Sequence, residues 1–420
     1  MAKGYRKLTI NDVVHEIYDA PHATPEKTEE GPIFLGVSNL KNGRLDLTDT
    51  DHVSEEGFQK RTSRVTPREG DIVFSYETRL GEAALIPEEL RCCLGRRMGL
   101  LRVDEEVAYP RYLLYAWLAP EFQREIQARA SQGSTVNRIL LTELGDYPIR
   151  VPPLPVQRRI ADILGALDDK IELNRRMNET LEEMAQTLYR HWFVDFGPFQ
   201  DRNFKDTEEL GPIPKAWEVK PFLDTCDIET GGTPKTSVDE YWGGDILWAS
   251  AKDVSQSTDT VLLNPERTVT PAGIDSSPAD VLPAGTTAIV ARGATTGRHA
   301  ILGRDMALNQ SCYGLVGKEG YSWGWTYLTV NSLVQRLRNR AYGSAFDSVT
   351  ISTFENLDVV GPPSEVVSAF NEKVMSLFEK MMANVKENQT LAETRDYLLP
   401  KLISGEIQVD AAEEAVESIS

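Results

Sequence analysis

The sequence predicts an α+β protein: two tandem mixed α/β domains separated by an antiparallel two-helix coiled coil, with an internal pseudo-twofold repeat at an offset of 210 residues. Three observations lead there. Pro152-Pro153 recurs as Pro362-Pro363, and the same gapless spacing carries Gly133-Ser134 to Gly343-Ser344, Asn174 to Asn384, Asn178 to Asn388 and Thr180-Leu181 to Thr390-Leu391. A fixed period of this kind means one unit written twice. Apolar residues then alternate by four and three along one stretch of each copy. The remainder of each copy has short apolar runs between Gly, Pro, Asn and Asp clusters, which read as strands of small sheets.

Taken in order, residues 1–150 form the first domain, with Ile72-Val73-Phe74 as a strand and a helix from about Pro110 to Ala130. Residues 151–196 form the first long helix, and 197–212 a linker. The second domain covers 213–362, with Ile246-Leu247-Trp248 and Ala288-Ile289-Val290 as strands and a helix from about Trp323 to Arg340. Its opening parallels the first domain's more loosely: REGDIVFSY answers to PAGTTAIVA, and LGRRMGLL from Leu94 to LNQSCYGL from Leu308. Residues 363–404 form the second long helix. Residues 405–420 form an acidic tail; Glu406 to Ser420 holds five acids and no base, which favours solvation.

The first helical seam is Ile160, Leu164, Leu167, Ile171, Asn174, Asn178, Leu181, Ala185, Leu188 and Trp192. Phe370, Val374, Leu377, Met381, Asn384, Asn388, Leu391, Arg395, Leu398 and Leu402 repeat it. Alternating steps of four and three are the 3.5-residue period of a left-handed coiled coil. Asn174, Asn178, Asn384 and Asn388 are expected to set the register, because a slipped pairing would bury an unpaired amide. A helix of about 38 residues, about 57 Å at 1.5 Å per residue, suits a ruler.

The chain has 420 residues and a net charge of −19, from 45 Lys and Arg against 64 Asp and Glu. No single segment accounts for the excess, which is −4, −4, −5 and −6 for 1–150, 151–210, 211–362 and 363–420. A surface coated in basic charge is therefore excluded, though a local basic patch is not. Absence of a long apolar run argues against a membrane protein, and the N-terminus lacks the apolar core of a signal peptide, so the expected compartment is cytoplasmic. Cys92, Cys93, Cys226 and Cys312 show neither zinc-site nor disulfide spacing, and no metal site is expected. There is no phosphate-loop, zinc-protease or nucleophile-elbow motif. The GGTPKT stretch at 231–236 reads as a strand-to-turn loop, and no catalytic residue is assigned.

PPLPVQRRIADILGALDDKIELNRRMNETLEEMAQTLY from Pro152, HWFVDFGP from His191, GPIPKAW from Gly211 and LLPKLISGEI from Leu398 resemble hallmark segments of specificity subunits of type I restriction-modification systems. The resemblance covers nearly the whole chain, in the family's order. It implies two target-recognition domains that each read half of a gapped double-stranded DNA sequence, and helices that dock two methyltransferase subunits and, in some assemblies, restriction-translocase subunits. S-adenosylmethionine, ATP and Mg would belong to those partners, and this chain would bind no cofactor. Two other readings stay open: a self-sufficient methyltransferase or nuclease, and a coiled-coil adaptor or DNA-binding protein without a modifying partner.

Base edges are read by bidentate Arg, Lys, Asn or Gln, so loops carrying such residues are the candidates. In the first domain these are Lys60, Arg61, Arg64, Arg79, Arg96 and Arg97; in the second, Thr233, Lys235, Lys252, Arg292, Arg298 and Gln310. For partner docking, Trp192, Phe193 and Phe196 are the aromatic candidates, with burial in the chain's own core as the competing reading.

Overall fold

The structure, a computed structural model, describes residues 4–132, 137–257, 259–340 and 348–417. The repeated Gly133-Ser134 and Gly343-Ser344 lie outside the described residues. The chain forms two compact units, Met1–Lys170 with Leu391–Ser420, and Ile171–Thr390. The division runs through both long helices rather than at their ends.

In the first unit, Val14–Asp19, Met98–Val103, Ile72–Ser75 and Ala83–Leu85 form an antiparallel sheet in that order. Asp51–Val53, Lys27–Leu35 and Cys92–Leu94 form a second sheet whose last pair is parallel. Leu35, Leu40, Val73, Ala84, Met98 and Leu100 are almost fully buried in the core of this unit. Arg6–Thr9 pairs antiparallel with Pro148–Val151 and brings the ends of the module together.

The second unit repeats the topology of both sheets and adds an edge strand to each. Cys226–Thr230, Cys312–Gly317, Thr287–Val290 and His299–Leu302 correspond to the first antiparallel sheet, and Val261–Leu262 adds a parallel edge. Arg267–Val269, Trp242–Ala249 and Met306–Leu308 correspond to the second sheet, again with the latter two parallel, and Val281–Leu282 adds an antiparallel edge. Glu218–Pro221 pairs with Asp358–Gly361 as Arg6–Thr9 does with Pro148–Val151. The turns match too: Gly70 at φ +79° and Gly285 at φ +91° occupy the same place, against Pro110 and Trp323.

Two expectations are corrected here. The helix anticipated over Pro110–Ala130 is two helices, Pro110–Leu118 and Pro120–Arg129. Pro120 pushes Ala119 out of the α region, to φ −61° and ψ 142°, and then serves as the first residue of the next helix. The acidic tail also folds: Val409–Glu417 is a helix with Val409 and Ala412 buried. It is held to the first long helix by Arg159, which contacts Glu413 at 2.6 Å and Asp410 at 2.5 Å. The acids expected to face only solvent are thus partly consumed by one arginine, and the small residues between them pack.

The long helices are Leu154–Phe193 and Ser364–Ser404. In the second unit Asn174 Nδ2 donates to Asn388 Oδ1 at 2.9 Å, and Asn384 Nδ2 to Asn178 Oδ1 at 2.8 Å. One number rises as the other falls, so the two helices run antiparallel there. All four asparagines are buried. Along the same stretch Ile171, Ala185, Phe370, Val374 and Met381 are buried, as are Ile160, Leu164, Leu167, Leu398 and Leu402 in the first unit.

Candidate nucleic-acid interface

In each unit the candidate interface grows from one place, where the loop after the third strand of the antiparallel sheet meets the turn before the second. In the second unit these are residues 291–298 and 309–311, joined by the Ala291 N–H donating to the Ser311 carbonyl at 2.8 Å. A third segment adjoins them: Gly232 N–H donates to the Leu308 carbonyl at 2.9 Å, and Gln310 N–H to Thr233 Oγ1 at 3.5 Å. The two glycines of GGTPKT are required by this packing. A Cβ on Gly231 would lie 2.0 Å from the Asn309 carbonyl oxygen, and one on Gly232 would lie 2.5 Å from the Ala279 nitrogen. Thr233, Lys235, Arg292, Arg298 and Gln310 therefore lie on three adjoining loops. Lys235, Arg292, Arg298 and Gln310 are exposed, and the three cations meet no acid among the described residues.

Lys252 is set apart from that group. It pairs with Glu266 at 2.7 Å and lines a cavity of about 410 Å³ with Arg175, Asp259 and Asn388. Burial raises the Asp259 carboxyl above its ordinary range, with Arg175 and Asn178 opposing the shift.

The first unit repeats the loop architecture with different charges. Tyr76 N–H donates to the Arg97 carbonyl at 3.1 Å, joining loop 76–82 to turn 95–97. Arg97 Nε lies 2.6 Å from Glu77 and its Nη1 donates to Thr78 Oγ1 at 3.2 Å, while Arg79 reaches Glu82 at 3.5 Å. Arg96 and Arg64 are exposed and meet no acid among the described residues. Lys60 is exposed but pairs with Glu56 at 2.7 Å, one helical turn away.

Arg61 is a correction. It is 6% exposed, donates to the carbonyls of Leu94, Pro21 and Ala23, and stacks 5.0 Å from the Phe34 ring. With its guanidinium spent on three backbone acceptors, it fastens the helix Glu55–Arg61 beneath the turn and has nothing to offer DNA. Phe193 and Phe196 are corrected likewise. They are 5% and 7% exposed, in an aromatic cluster with Trp217, Trp325 and Phe370, so they have no surface for a partner. Trp192 is half-buried at the edge of that cluster, 5.8 Å from the Phe370 ring.

Sequence reasoning missed Arg138. Its backbone bridges Glu77, as Ser348 bridges Arg292, so each candidate interface has one further strand edge beside it. Arg138 is exposed. The signal was present: Arg138 and Ser348 are 210 apart, four residues beyond the Gly-Ser repeat.

Burial pushes the Cys92, Cys226 and Cys312 thiols up to about 12, far from a reactive thiolate. Among the described residues no group of three His, Cys, Asp or Glu side chains is arranged to hold a metal, and no helix is long and apolar enough to cross a membrane.

The repeated module is what the type I restriction modification DNA specificity domain describes, and the model of that family matches residues 5–183 and again 214–392. The chain belongs to this family. It is 26% identical to the HindI specificity subunit of Haemophilus influenzae, over 89% of this chain and 94% of that one. It is also 26% identical to the MjaIX specificity subunit of Methanocaldococcus jannaschii, over 86% and 82%. The S subunit of a type I system from M. genitalium shares the fold at a TM-score of 0.58 and 14% identity, covering 95% of this chain and 96% of that one. The chain is thus a type I specificity subunit with two specificity domains, each presenting one of the loop clusters above.

Proposed function

We propose that this specificity subunit reads a bipartite, gapped target on double-stranded DNA, one half through each domain, and itself performs no catalysis. The observation that carries the reading is the doubled loop cluster: the same backbone scaffold in both units, with different side chains displayed on it. A scaffold kept while its displayed residues change is what reading two unequal half-sites requires. Arg64, Arg79, Arg96, Arg97 and Arg138 are the base or phosphate contacts of the first domain. Thr233, Lys235, Arg292, Arg298 and Gln310 are those of the second, with Lys252 more distant.

The long helices serve as an antiparallel coiled coil with pseudo-twofold symmetry. The offset of 210 carries the Asn174–Asn388 pair onto Asn384–Asn178, which supports that reading and the role of these asparagines in register. The exposed faces of these helices dock two methyltransferase subunits and, in a complete restriction enzyme, translocase subunits. S-adenosylmethionine, ATP and Mg act in those partners, and the assembly works in the cytoplasm. With a net charge of −19, the isolated chain binds DNA weakly and depends on its partners for much of the phosphate clamp.

The test is a genome-wide map of N6-methyladenine in cells carrying the chain with its methyltransferase, against cells lacking only the chain. A gapped motif that disappears with the chain is the expected outcome. Methylation unchanged by its loss would overturn the reading in favour of an adaptor.

A further inference from the structure

Arg97 is held more tightly than its surroundings require. It has a left-handed backbone, φ +67°, and so does Thr78 opposite it, φ +70°. Neither is glycine, and a side chain in this region stores strain that tends to mark functional positions. Loop 291–298 of the second unit relaxes the equivalent of Thr78 with Gly293, φ +102°, and places Ser311 where the first unit has Arg97. Glu77 Oε2 lies 2.6 Å from Nε of Arg97 as an ion pair, and Nη1 donates to Thr78 Oγ1 at 3.2 Å. Among the described residues nothing binds Nη2. The Arg97 side chain is 49% exposed and that of Glu77 23%, so the guanidinium is the more open member of the pair.

An arginine meant for phosphate needs charge and little orientation, and an acid at 2.6 Å would weaken it. An arginine meant for a base edge needs orientation above all, and a guanidinium end presented in a fixed plane matches the O6 and N7 acceptors of guanine. We propose that Arg97 reads a guanine in the half-site of the first domain, and that Glu77 and Thr78 are positioning residues that hold its plane. The proposal rests on the DNA-reading function above and adds which residue reads and which base.

The experiment uses the chain assembled with its methyltransferase subunits and maps adenine methylation for the wild type, Arg97→Lys, Arg97→Ala and Glu77→Gln. Arg97→Lys keeps the charge but loses the bidentate fork, so it should accept other base pairs at one G·C position of one half-site, a loss of about tenfold or more in discrimination there. Arg97→Ala should do the same with weaker overall methylation, and the other half-site should stay intact in both. Glu77→Gln should relax the same position to a lesser degree while raising binding to unrelated DNA, because an anion has left the interface; a pair that merely stabilised the loop would produce neither change. An unaltered motif in Arg97→Lys, or a relaxed position that is not G·C, overturns the proposal. A wild-type chain that yields no gapped motif would instead sink the DNA-reading function itself, so the two failures are told apart.

Discussion

The two units hold their long helices against their specificity domains by opposite means. In the first, Asp168 accepts from Arg395 Nη1 at 2.8 Å and from the Tyr115 hydroxyl at 2.7 Å, and Arg111 reaches Asp169 at 2.6 Å. In the second, the residue 210 beyond Asp168 is Phe378, fully buried 5.1 Å from the Trp323 ring and 5.7 Å from Tyr327, and the counterpart of Arg395 is the buried Ala185. Space is exchanged as well as polarity. Gly165 lies under Arg111, whose Cζ would be 2.5 Å from an added Cβ; in the second unit Gly324 is the small partner, with Met375 in the place of Gly165. One scaffold thus closes around either a charge network or an aromatic plug, provided that large faces small and every buried charge has a partner.

That contrast can be broken most severely on the apolar side. Phe378→Ala leaves a cavity among rings that cannot collapse and should cost about 3–5 kcal/mol in chemical denaturation. Arg395→Ala leaves Asp168 with one partner fewer in a site 15% exposed, and should cost about 2–3 kcal/mol, less than a fully buried pair because water still reaches it. Asp168→Phe and Arg395→Ala combined with Arg111→Gly and Gly165→Met, which carry over the whole joint, should recover most of that loss; if the fourfold variant is as unstable as the single one, the two joints are not interchangeable.

The interfaces offer a gentler comparison. Loop 291–298 holds two arginines and no acid, whereas loop 76–82 holds Arg79 between Glu77 and Glu82. Arg292→Ala and Arg298→Ala should each lower the slope of log affinity against log salt by about 1 in the assembled complex, and Arg79→Ala should lower it by less. Equal slopes would mean that the acids of the first loop are displaced on binding.

The smallest effect concerns Asp259, a partly buried acid of the second unit. Burial raises the folded carboxyl of Asp259 above its unfolded value, so the folded state binds the proton more readily. Its contribution is therefore favourable at low pH and declines as pH rises from the ordinary carboxylate range through the raised folded value. Asp259→Asn should remove this slope and raise stability at pH 7 by under about 1 kcal/mol, read from denaturation midpoints across pH.

Much of the fold was legible because repetition and period are properties of the chain alone. The offset of 210 survives at the asparagines, whose two pairs it exchanges, and steps of four and three survive because the helix has a fixed pitch. The strands at Ile72-Val73-Phe74, Ile246-Leu247-Trp248 and Ala288-Ile289-Val290 could be read for the same reason. The candidate readers were harder. Arg61 and Arg96 are the same residue type 35 positions apart, one buried against three carbonyls and the other in solvent. The burial of Phe193 and Phe196 depended on Trp217 and Phe370, which no local pattern connects to them.

By itself the sequence determined two copies, two long helices with paired asparagines, and a family, because each of these rests on spacing along one chain. The tertiary structure alone decided which arginines are free, that the acidic end folds onto Arg159, and that Glu77 pairs with Arg97. Those are contacts between residues from 20 to some 250 positions apart, and only the folded backbone sets such distances.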